Sequence, residues 1–323
     1  MYSISNLQEL INGAIAEKKY PEVPSELYEP ISYLMSLGGK RMRPVMLLMA
    51  CDLFEGSILK AVEPAIGVEL FHNFTLAHDD IMDKAPLRRG KPTVHEKWNE
   101  NIAILAGDTM LVEAFRQMML VDDSILRSVL DVFNDVAEGV CQGQQIDMNF
   151  EQIAEVSVDD YLNMIRLKTA VLLGGSLKIG ALIGGAKSEQ AELIYQFGKA
   201  LGIAFQLQDD ILDVYGDTAK FGKQIGGDIT SNKKTFLLIK ALETAEGLDK
   251  EELNHWLGIR QDDVAKVNFI TSIYNRLGIR QLAEMEMNNY AEKALRYLSE
   301  LSVDPTKKQA LRVFAEELLI REN

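Results

Sequence analysis

The stretch FTLAHDDIMD (residues 74–83) determines the fold prediction, because it joins a long apolar helical run to a group of aspartates. The preceding residues, AIGVELFHNFTLAH, are apolar on nearly every helical face, which is typical of a helix buried in a bundle. Residues four apart on a helix share a face, so Asp79 and Asp83 should point together, with Asp80 about 100° away. Carboxylates at the C-terminal end of a helix face its negative pole, so this group calls for a compensating cation.

The arrangement occurs a second time in FQLQDDILD (residues 205–213), which follows another apolar run. Asp209 and Asp213 are again four apart and should share a helix face. Oxygen ligands suit Mg²⁺, which typically bridges a few carboxylates to substrate phosphates. We therefore predict that Asp79 and Asp83 bind metal from one wall of a pocket and Asp209 from the other.

The composition limits the classes of partner. A formal net charge of −14 argues against nucleic acid, because phosphate-binding proteins normally carry a basic surface. Cys51 and Cys141 have no disulfide-framework spacing, and MYSISNLQEL has neither the basic region nor the apolar core of a signal peptide. The longest apolar segment, AVLLGGSLKIGALIGGA, is interrupted by Lys178 and is too short to span a bilayer. These features predict a cytoplasmic protein without stable membrane insertion.

The fold class follows from the hydrophobic period. Apolar residues recur at three- and four-residue spacing, while alternating strand patterns and hairpin dipeptides are scarce. Ser157 and Asp304 are predicted helix caps. We predict an all-α fold in a single domain, residues 1–323, since no stretch has the length or composition of a linker. The predicted helices cover 58–83, 97–120, 123–145, 158–186, 187–217, 228–246, 261–276, 278–299 and 305–321, with others near Leu7–Ile15 and after Pro44.

Cationic residues occur beside glycines and around both acidic stretches. Arginine offers two parallel hydrogen bonds to phosphate and lysine a compact charge, so these positions favour a diphosphate ligand. His72 lies seven residues before Asp79 and should share its helix face, where it could bind a second diphosphate. The cations are Lys40, Arg41 and Arg43 in GGKRMRP, Arg88 and Arg89 after the first aspartates, and Lys168, Lys223, Lys233 and Lys234 further along.

Five motifs in this order and spacing resemble the trans-isoprenyl diphosphate synthases. They are GGKRMRP, ELFHNFTLAHDDIMDKAPLRRGKPTVH, KTA, FQLQDDILD and GKQIGGDITSNKKT, which together span about residues 38–235. The resemblance implies an all-α isoprenoid-synthase helical bundle around a deep central cavity, a homodimer, and three Mg²⁺ ions. It also implies that isopentenyl diphosphate is condensed with an allylic diphosphate after metal-assisted ionisation.

The same resemblance assigns roles to individual residues. Asp79 and Asp83 resemble ligands of two metal ions, and Asp209 resembles the ligand of the third. The supporting acids are Asp80, Asp210 and Asp213. The residues that resemble the allylic diphosphate site are Arg88, Lys168, Gln206, Lys223 and Lys233. Those that resemble the isopentenyl diphosphate site are Lys40, Arg43, His72 and Arg89. Thr169 and Gln206 resemble the polar groups beside the developing carbocation.

In the family that the chain resembles, the residues five and four positions before the first aspartate help to set product length, and here these are Phe74 and Thr75. An aromatic at only one of these positions resembles twenty-carbon more than fifteen-carbon synthases. The sequence therefore favours geranylgeranyl diphosphate, with farnesyl diphosphate as the alternative. Phe71, Met110 and Phe115 are further residues that could change the length.

Three other classes remain open. A terpene cyclase shares the first acidic motif, although its second motif usually carries Asn or Asp, Ser or Thr, and Glu. A di-iron bundle would use Glu69 with His72 and Glu252 with His255, both at i, i+3 spacing. A non-catalytic partner subunit would share the fold, although such subunits often lack the metal or phosphate ligands that this chain retains.

Overall fold

The computed structural model describes residues 2–216, 226–259 and 264–319. Lys223, which the sequence assigned to the allylic diphosphate, lies outside these described residues.

The described residues are predominantly helical, as predicted. Their strands are confined to a hairpin of β1 (Leu87–Arg88) and β2 (Lys91–Pro92), in which Arg88 pairs with Lys91. The helices in the first half are α1 (Ile4–Glu17), α2 (Ser25–Ser36), α3 (Met42–Leu53), α4 (Ile58–Met82), α5 (Val94–Lys97), α6 (Glu100–Met118) and α7 (Asp123–Phe150). They are followed by α8 (Val158–Ile165), a π-helical segment (Arg166–Ala170), α9 (Val171–Ile183), α10 (Ser188–Tyr215), α11 (Gly227–Thr230), α12 (Phe236–Thr244), α13 (Gly247–Leu257), α14 (Val264–Arg276), α15 (Ile279–Glu300) and α16 (Pro305–Leu319).

Several helix bounds differ from the prediction. The helix α2, which contains Pro30, was not predicted, nor was α13, whose mostly polar surface gives a weak periodic pattern. The helix predicted over 158–186 is divided by the π-helical segment, and that predicted over 228–246 is two helices. The predicted cap at Ser157 is confirmed, since its side chain accepts a hydrogen bond from the Asp160 amide.

By internal contacts the chain forms two compact units, each described here by itself. Unit 1 comprises Met1–Asp135, Gly175–Ile194 and Ser302–Lys308, and unit 2 comprises Val136–Gly174, Tyr195–Leu301 and Gln309–Asn323. The predicted single domain and deep central cavity stay predictions.

The helix α4 is the central element of unit 1. It packs against α1, α2, α3, α5 and α6. Val68, Leu70 and Phe71 point to different faces of the helix and are all fully buried. Burial of each such side chain contributes about 1.5–3 kcal/mol. The apolar run before the first aspartates therefore lies in a core, as predicted.

Unit 2 has its own core, to which α8, α10, α12, α14 and α15 contribute. Tyr161, Leu207, Leu237, Tyr274 and Ala283 belong to one buried cluster, and each is at most 2% exposed. Among the described residues, no helix combines the length and apolar character needed to cross a membrane. The predicted cytoplasmic location stays a prediction.

Candidate active site

The first group of aspartates ends α4 in unit 1. Asp83 caps the helix, and its amide donates to the Asp79 carbonyl at 2.8 Å, so the two residues are one turn apart. The Asp80 side chain is 1% exposed, whereas that of Asp79 is 20% exposed. The three acids therefore have different surroundings, with Asp80 directed inwards.

Arg88 neutralises the buried acid. Its Nε donates to Asp80 Oδ1 at 2.9 Å and to Oδ2 at 3.2 Å, and its Nη2 also contacts Oδ1. The same Nη2 lies 4.0 Å from Asp79 Oδ2. Burial raises the pKa of Asp80, and the Arg88 guanidinium opposes that shift. Asp80 thus holds Arg88 beside the exposed acids.

The hairpin turn presents the next arginine to the glycine-rich loop of GGKRMRP. Arg89 and Gly90 both have positive φ angles, 53° and 73°, as a tight two-residue hairpin turn requires. Arg89 Nη1 donates a hydrogen bond to the Gly38 carbonyl. A Cβ atom at Gly39 would lie 2.7 Å from the Arg89 guanidinium carbon, so only glycine allows this approach. The hairpin and the loop therefore meet through Arg89.

His72 completes a cationic cluster in unit 1, defined here as Lys40, Arg43, His72 and Arg89. Arg43, at the start of α3, has its Nη1 3.1 Å from His72 Nε2, and Lys40 is exposed in the preceding glycine-rich loop. Burial and then the nearby arginines, Arg43 first, lower the pKa of His72 well below 6.5. The structure thus brings together Arg43, His72 and Arg89, three of the residues that the sequence assigned to one diphosphate site, with a neutral imidazole beside arginines.

The lowered pKa gives a prediction for His72→Gln. The unfolded chain takes up a proton at His72 below about pH 6.5 and the folded chain does not, so falling pH disfavours folding. This effect is absent above the unfolded pKa and grows by at most about 1.4 kcal/mol per pH unit below it. We expect the melting temperature of His72→Gln to fall less than that of the wild type between about pH 7.5 and pH 5.5. Equal falls in both proteins would contradict this account of His72.

Phe74, one of the two residues assigned to product length, lies in an aromatic cluster of unit 1. The Phe74 ring centroid is 5.6 Å from that of Phe71 and 4.8 Å from that of His78. Phe133 joins the cluster, 5.4 Å from Phe71 and 4.9 Å from Phe115. Phe74 is 8% exposed, so most of its ring is packed.

The hydroxyl of Thr75, the second residue assigned to product length, forms a hydrogen bond with the backbone of its own helix, α4. Its Oγ1 donates to the His72 carbonyl at 2.8 Å. The predicted roles of Phe74 and Thr75 in product length stay predictions.

The second group of aspartates lies near the end of α10, in unit 2. Asp210 is buried and accepts hydrogen bonds from the Tyr161 hydroxyl and, at 3.2 Å, from Gln206 Nε2. Gln206 Oε1 accepts from Thr169 Oγ1 at 3.1 Å. Burial, followed by the charge of Asp228, raises the pKa of Asp210 to about 8. Thr169, Gln206 and Asp210 therefore form one hydrogen-bonded chain, anchored by Tyr161.

Asp213, another acid of this group, fixes the segment around α11. The Asp228 amide donates to Asp213 Oδ2 at 3.0 Å, and the Gly226 amide to the Asp213 carbonyl at 2.7 Å. The Lys233 amide in turn donates to the Asp228 carbonyl at 2.8 Å. Asp213 thus anchors the segment that carries Lys233, while Asp209 is partly exposed on the same helix.

Lys168 lies in the π-helical segment of unit 2, where its Nζ donates to Asp147 Oδ2 at 2.6 Å. Short π-helical segments inside helices frequently occur at functional sites. Gly143 of α7 allows the segment to lie close, because a Cβ there would meet the Lys168 amide nitrogen at 2.2 Å. Packing of α7 therefore fixes the backbone from which Lys168 and Thr169 project.

This close approach gives a matched pair of predictions on α7. Gly143→Ala should lower the free energy of unfolding by about 1–3 kcal/mol, because an added methyl overpacks the contact. Gly139→Ala is the control, since a Cβ there meets its nearest neighbours at 3.4 and 3.6 Å, ordinary contact distances. The control should be neutral or up to about 1 kcal/mol more stable, because alanine favours helix. Urea unfolding measures both, and equal effects would contradict the proposed packing.

Three residues of unit 2 were missed from sequence: Tyr161, Asp147 and Asp228. Tyr161 lies in the helical pattern VDDYLNMI and gave no signal beyond that of a core residue. Asp147 stands alone in its stretch and gave no signal, whereas Asp228 lies within the motif GKQIGGDITSNKKT, in which the resemblance assigned it no role. In unit 1, Arg41 was expected beside phosphate, but it is 5% exposed and points into the core.

The donor set fits Mg²⁺. Asp79 and Asp83 offer carboxylate oxygens one turn apart in unit 1. In unit 2, Asp209 is partly exposed on α10. Across the described ranges, no three His, Cys, Asp or Glu side chains already converge as a cation site. Mg²⁺ usually keeps several waters and binds one or two carboxylates together with substrate phosphates, so such a preformed cluster is not required.

The glutamates of the di-iron interpretation have other partners. Glu69 Oε1 accepts from Arg41 at 2.5 Å, and Glu252 Oε2 accepts from Arg276 at 2.9 Å. His72 faces Arg43, as described above. These pairs disfavour iron ligation by the two i, i+3 motifs.

Comparison with known proteins identifies the family. The family model described as polyprenyl synthetase matches residues 24–274. A geranylgeranyl diphosphate synthase of Methanosarcina mazei is 43% identical over 249 residues, covering 76% of each chain. A short chain isoprenyl diphosphate synthase of Methanothermobacter thermautotrophicus is 35% identical over 316 residues, covering 98% of this chain and 96% of that protein. A crystal structure of a geranylgeranyl pyrophosphate synthase matches with a TM-score of 0.96 and 41% identity, covering 100% of both chains.

The chain belongs to the polyprenyl synthetase family. The predicted family, its all-α isoprenoid-synthase fold and the prenyltransferase class are confirmed.

Proposed function

We propose that this chain is a short-chain trans-prenyltransferase that condenses isopentenyl diphosphate with an allylic diphosphate. We further propose geranylgeranyl diphosphate as the main product. The relatives named as geranylgeranyl and short chain isoprenyl diphosphate synthases support both statements. The single aromatic at Phe74, with Thr75 beside it, also favours the twenty-carbon product.

The observation that carries the proposal is the cationic cluster of unit 1. Lys40 lies in the glycine-rich loop, Arg43 at the start of α3, His72 on α4 and Arg89 in the hairpin turn, while the neighbouring Arg88 pairs with Asp80. An enzyme that joins two diphosphates needs a site for each, whereas a terpene cyclase ionises a single diphosphate. The cluster therefore favours a coupling enzyme over a cyclase.

The metal requirement forms part of the proposal. Asp79 and Asp83 would hold two Mg²⁺ ions and Asp209 a third, with Asp80, Asp210 and Asp213 as supporting acids. When bound, these ions supply charge that stabilises the departing diphosphate.

The chain's own residues then bind and orient the substrates. Arg88, Lys168 and Lys233 bind the allylic diphosphate, together with Lys223, as its allylic C–O bond breaks. Thr169 and Gln206 direct their oxygens towards the allylic cation. The double bond of isopentenyl diphosphate attacks that cation, and the proton lost from the new C–C adduct passes to the released diphosphate. Apolar walls exclude water, which would otherwise trap the cation as an alcohol.

Farnesyl diphosphate is the alternative product, and one observation favours it. Phe71, Phe74, Phe115 and Phe133 pack as a single aromatic cluster rather than as isolated rings. If Phe71 and Phe74, which lie on the motif helix, are the rings of this cluster that meet the growing chain, elongation stops after fifteen carbons.

The proposed reaction is tested by supplying an allylic diphosphate with Mg²⁺, in the presence and absence of isopentenyl diphosphate. A coupling enzyme should release diphosphate and form a longer allylic product only when isopentenyl diphosphate is present. Hydrocarbon formed from the allylic diphosphate alone would support a cyclase. No turnover by folded protein under either condition would support a non-catalytic partner subunit.

We also propose a homodimer. Leu105 and Val112 of α6 and its C-cap Met119 follow one another at seven-residue spacing and are 58%, 53% and 56% exposed. Residues seven apart lie on one helix face, so they form an exposed apolar stripe suited to a second copy. Sedimentation equilibrium should give twice the chain mass, and a monomer at micromolar concentration would reject the dimer.

A further inference from the structure

Arg41 has a different environment from the neighbouring cations of GGKRMRP. Its Nη1 donates to Glu69 Oε1 and its Nη2 to the Met35 carbonyl, both at 2.5 Å. Its Nε donates to Asn12 Oδ1 at 3.4 Å. The Arg41 and Glu69 side chains are each 3% exposed, so they form a buried ion pair.

The backbone at Arg41 is unusual as well. Its φ angle is 48°, in the left-handed region that non-glycine residues rarely adopt. This conformation occurs at the N-cap of α3, where the loop turns into the helix. A strained conformation of this kind persists only where its surroundings fix it, and the guanidinium contacts to three separate residues do so.

Glu69, the acidic member of the pair, is also held by a side chain of its own helix. Asn73 Nδ2 donates to Glu69 Oε1 at 3.1 Å and to the Glu69 carbonyl at 2.8 Å. Glu69 precedes His72 by three residues, so the two lie on adjacent turns of α4. The ion pair therefore ties the loop to the part of α4 that carries His72.

Stability alone does not account for a buried ion pair. Removing two charges from water is costly, and well-packed apolar residues of similar size are often as stable or more stable. The directional bonds of a guanidinium, by contrast, fix both the position and the orientation of the loop. Lys40 directly precedes Arg41, and Arg43 follows it by two residues, so fixing the loop at Arg41 orients both side chains. Arg43 Nη1 lies 3.1 Å from His72 Nε2.

We infer that Arg41 and Glu69 form a positioning pair, which orients the cationic cluster for isopentenyl diphosphate without contacting it. This inference rests on the proposed function, which assigns that substrate to the cluster. Loss of the pair should weaken binding of isopentenyl diphosphate and leave the allylic diphosphate unaffected.

The decisive variant replaces both members, Arg41→Met with Glu69→Met. It leaves no buried unpaired charge, but the Met35 carbonyl loses its donor, so its melting temperature should fall modestly and its binding is compared at a temperature where it is folded. Its KM for isopentenyl diphosphate should rise about tenfold through misplacement of the cluster. The KM for the allylic diphosphate and kcat should change less than about twofold, because their residues are not held by this pair.

A second variant and a control separate positioning from folding. Arg41→Lys keeps the buried positive charge but cannot donate to Glu69 and Met35 in the same fork, so it should raise the same KM by about threefold. The control is Lys178→Met with Glu192→Met, another ion pair of unit 1, whose Nζ–Oε2 distance is 2.6 Å. The control should leave both KM values unchanged.

Calorimetric titration with isopentenyl diphosphate alone gives a readout that does not depend on turnover. The Arg41/Glu69 double variant should bind more weakly by the same factor as its KM rises. Wild-type affinity in that variant, or an equal rise in both KM values, would overturn the positioning role. If the wild type binds isopentenyl diphosphate but elongates no primer, the proposed function fails. The calorimetric comparison of the wild type with the double variant still tests the positioning role of Arg41 and Glu69 in that case.

Discussion

Asp79→Ala is expected to lower kcat by about 10³-fold or more, because it removes a carboxylate proposed to hold the metal that stabilises departing diphosphate. Asp79 is partly exposed, and its side chain lies 4.0 Å from Arg88 Nη2. Loss of such a surface contact should cost less than about 1 kcal/mol of stability. Steady-state kinetics at saturating Mg²⁺ and a melting curve of the same preparation measure the two effects.

The control for Asp79 is Asp122→Asn, which neutralises another acid of unit 1. Asp122 is exposed and pairs with Lys60 at 2.9 Å, so its loss should leave kcat unchanged. Substantial activity in folded Asp79→Ala would remove Asp79 from the proposed metal ligands.

Phe74→Ala is expected to shift the main product from twenty to twenty-five carbons. The substitution removes a ring that is 8% exposed, directly before Thr75 on α4. Truncating a buried phenylalanine also costs about 3–5 kcal/mol of stability, so the product must be compared among folded proteins. Mass spectrometry of dephosphorylated products, at a temperature where circular dichroism shows folded protein, gives the chain length.

Phe133→Leu is the matched control for Phe74. Phe133 belongs to the same aromatic cluster and is fully buried, but it lies on α7 rather than on the motif helix. It should lose stability while keeping the twenty-carbon product. If folded Phe74→Ala gives the same products as the wild type, Phe74 does not set the chain length.

Features set by local chemistry were predictable from the sequence. The apolar faces of α4 indicated a buried helix, and the four-residue spacing placed Asp79 and Asp83 one turn apart. The Ser157 cap follows from side-chain hydrogen bonding at a helix start. Such features depend on neighbours in the sequence, so a single chain reveals them.

Features set by tertiary contacts were not predictable in the same way. The π-helical segment depends on how α7 approaches Lys168, and Gly143 is one glycine among many in the sequence. Arg41 was grouped with the exposed cations because a basic residue in a glycine-rich loop is usually solvated. Its burial depends on Glu69, and a carboxylate inside the apolar run AIGVELF is the one sign that a buried partner was needed.

Tyr161 illustrates the same limit in unit 2. A tyrosine in a helix such as VDDYLNMI is typical of a core residue, and Tyr161 is indeed buried. Only the fold shows that its hydroxyl meets Asp210, in the chain of bonds that continues to Gln206 and Thr169.

The central claim is that the chain elongates an allylic diphosphate to twenty carbons. Its most direct test supplies purified protein with Mg²⁺, isopentenyl diphosphate and, separately, dimethylallyl, geranyl or farnesyl diphosphate, followed by mass measurement of the dephosphorylated products. We expect geranylgeraniol as the main alcohol from at least one primer. A fifteen-carbon main product would contradict the proposed length, and no elongation of any primer by folded, metal-supplied protein would contradict the proposed reaction.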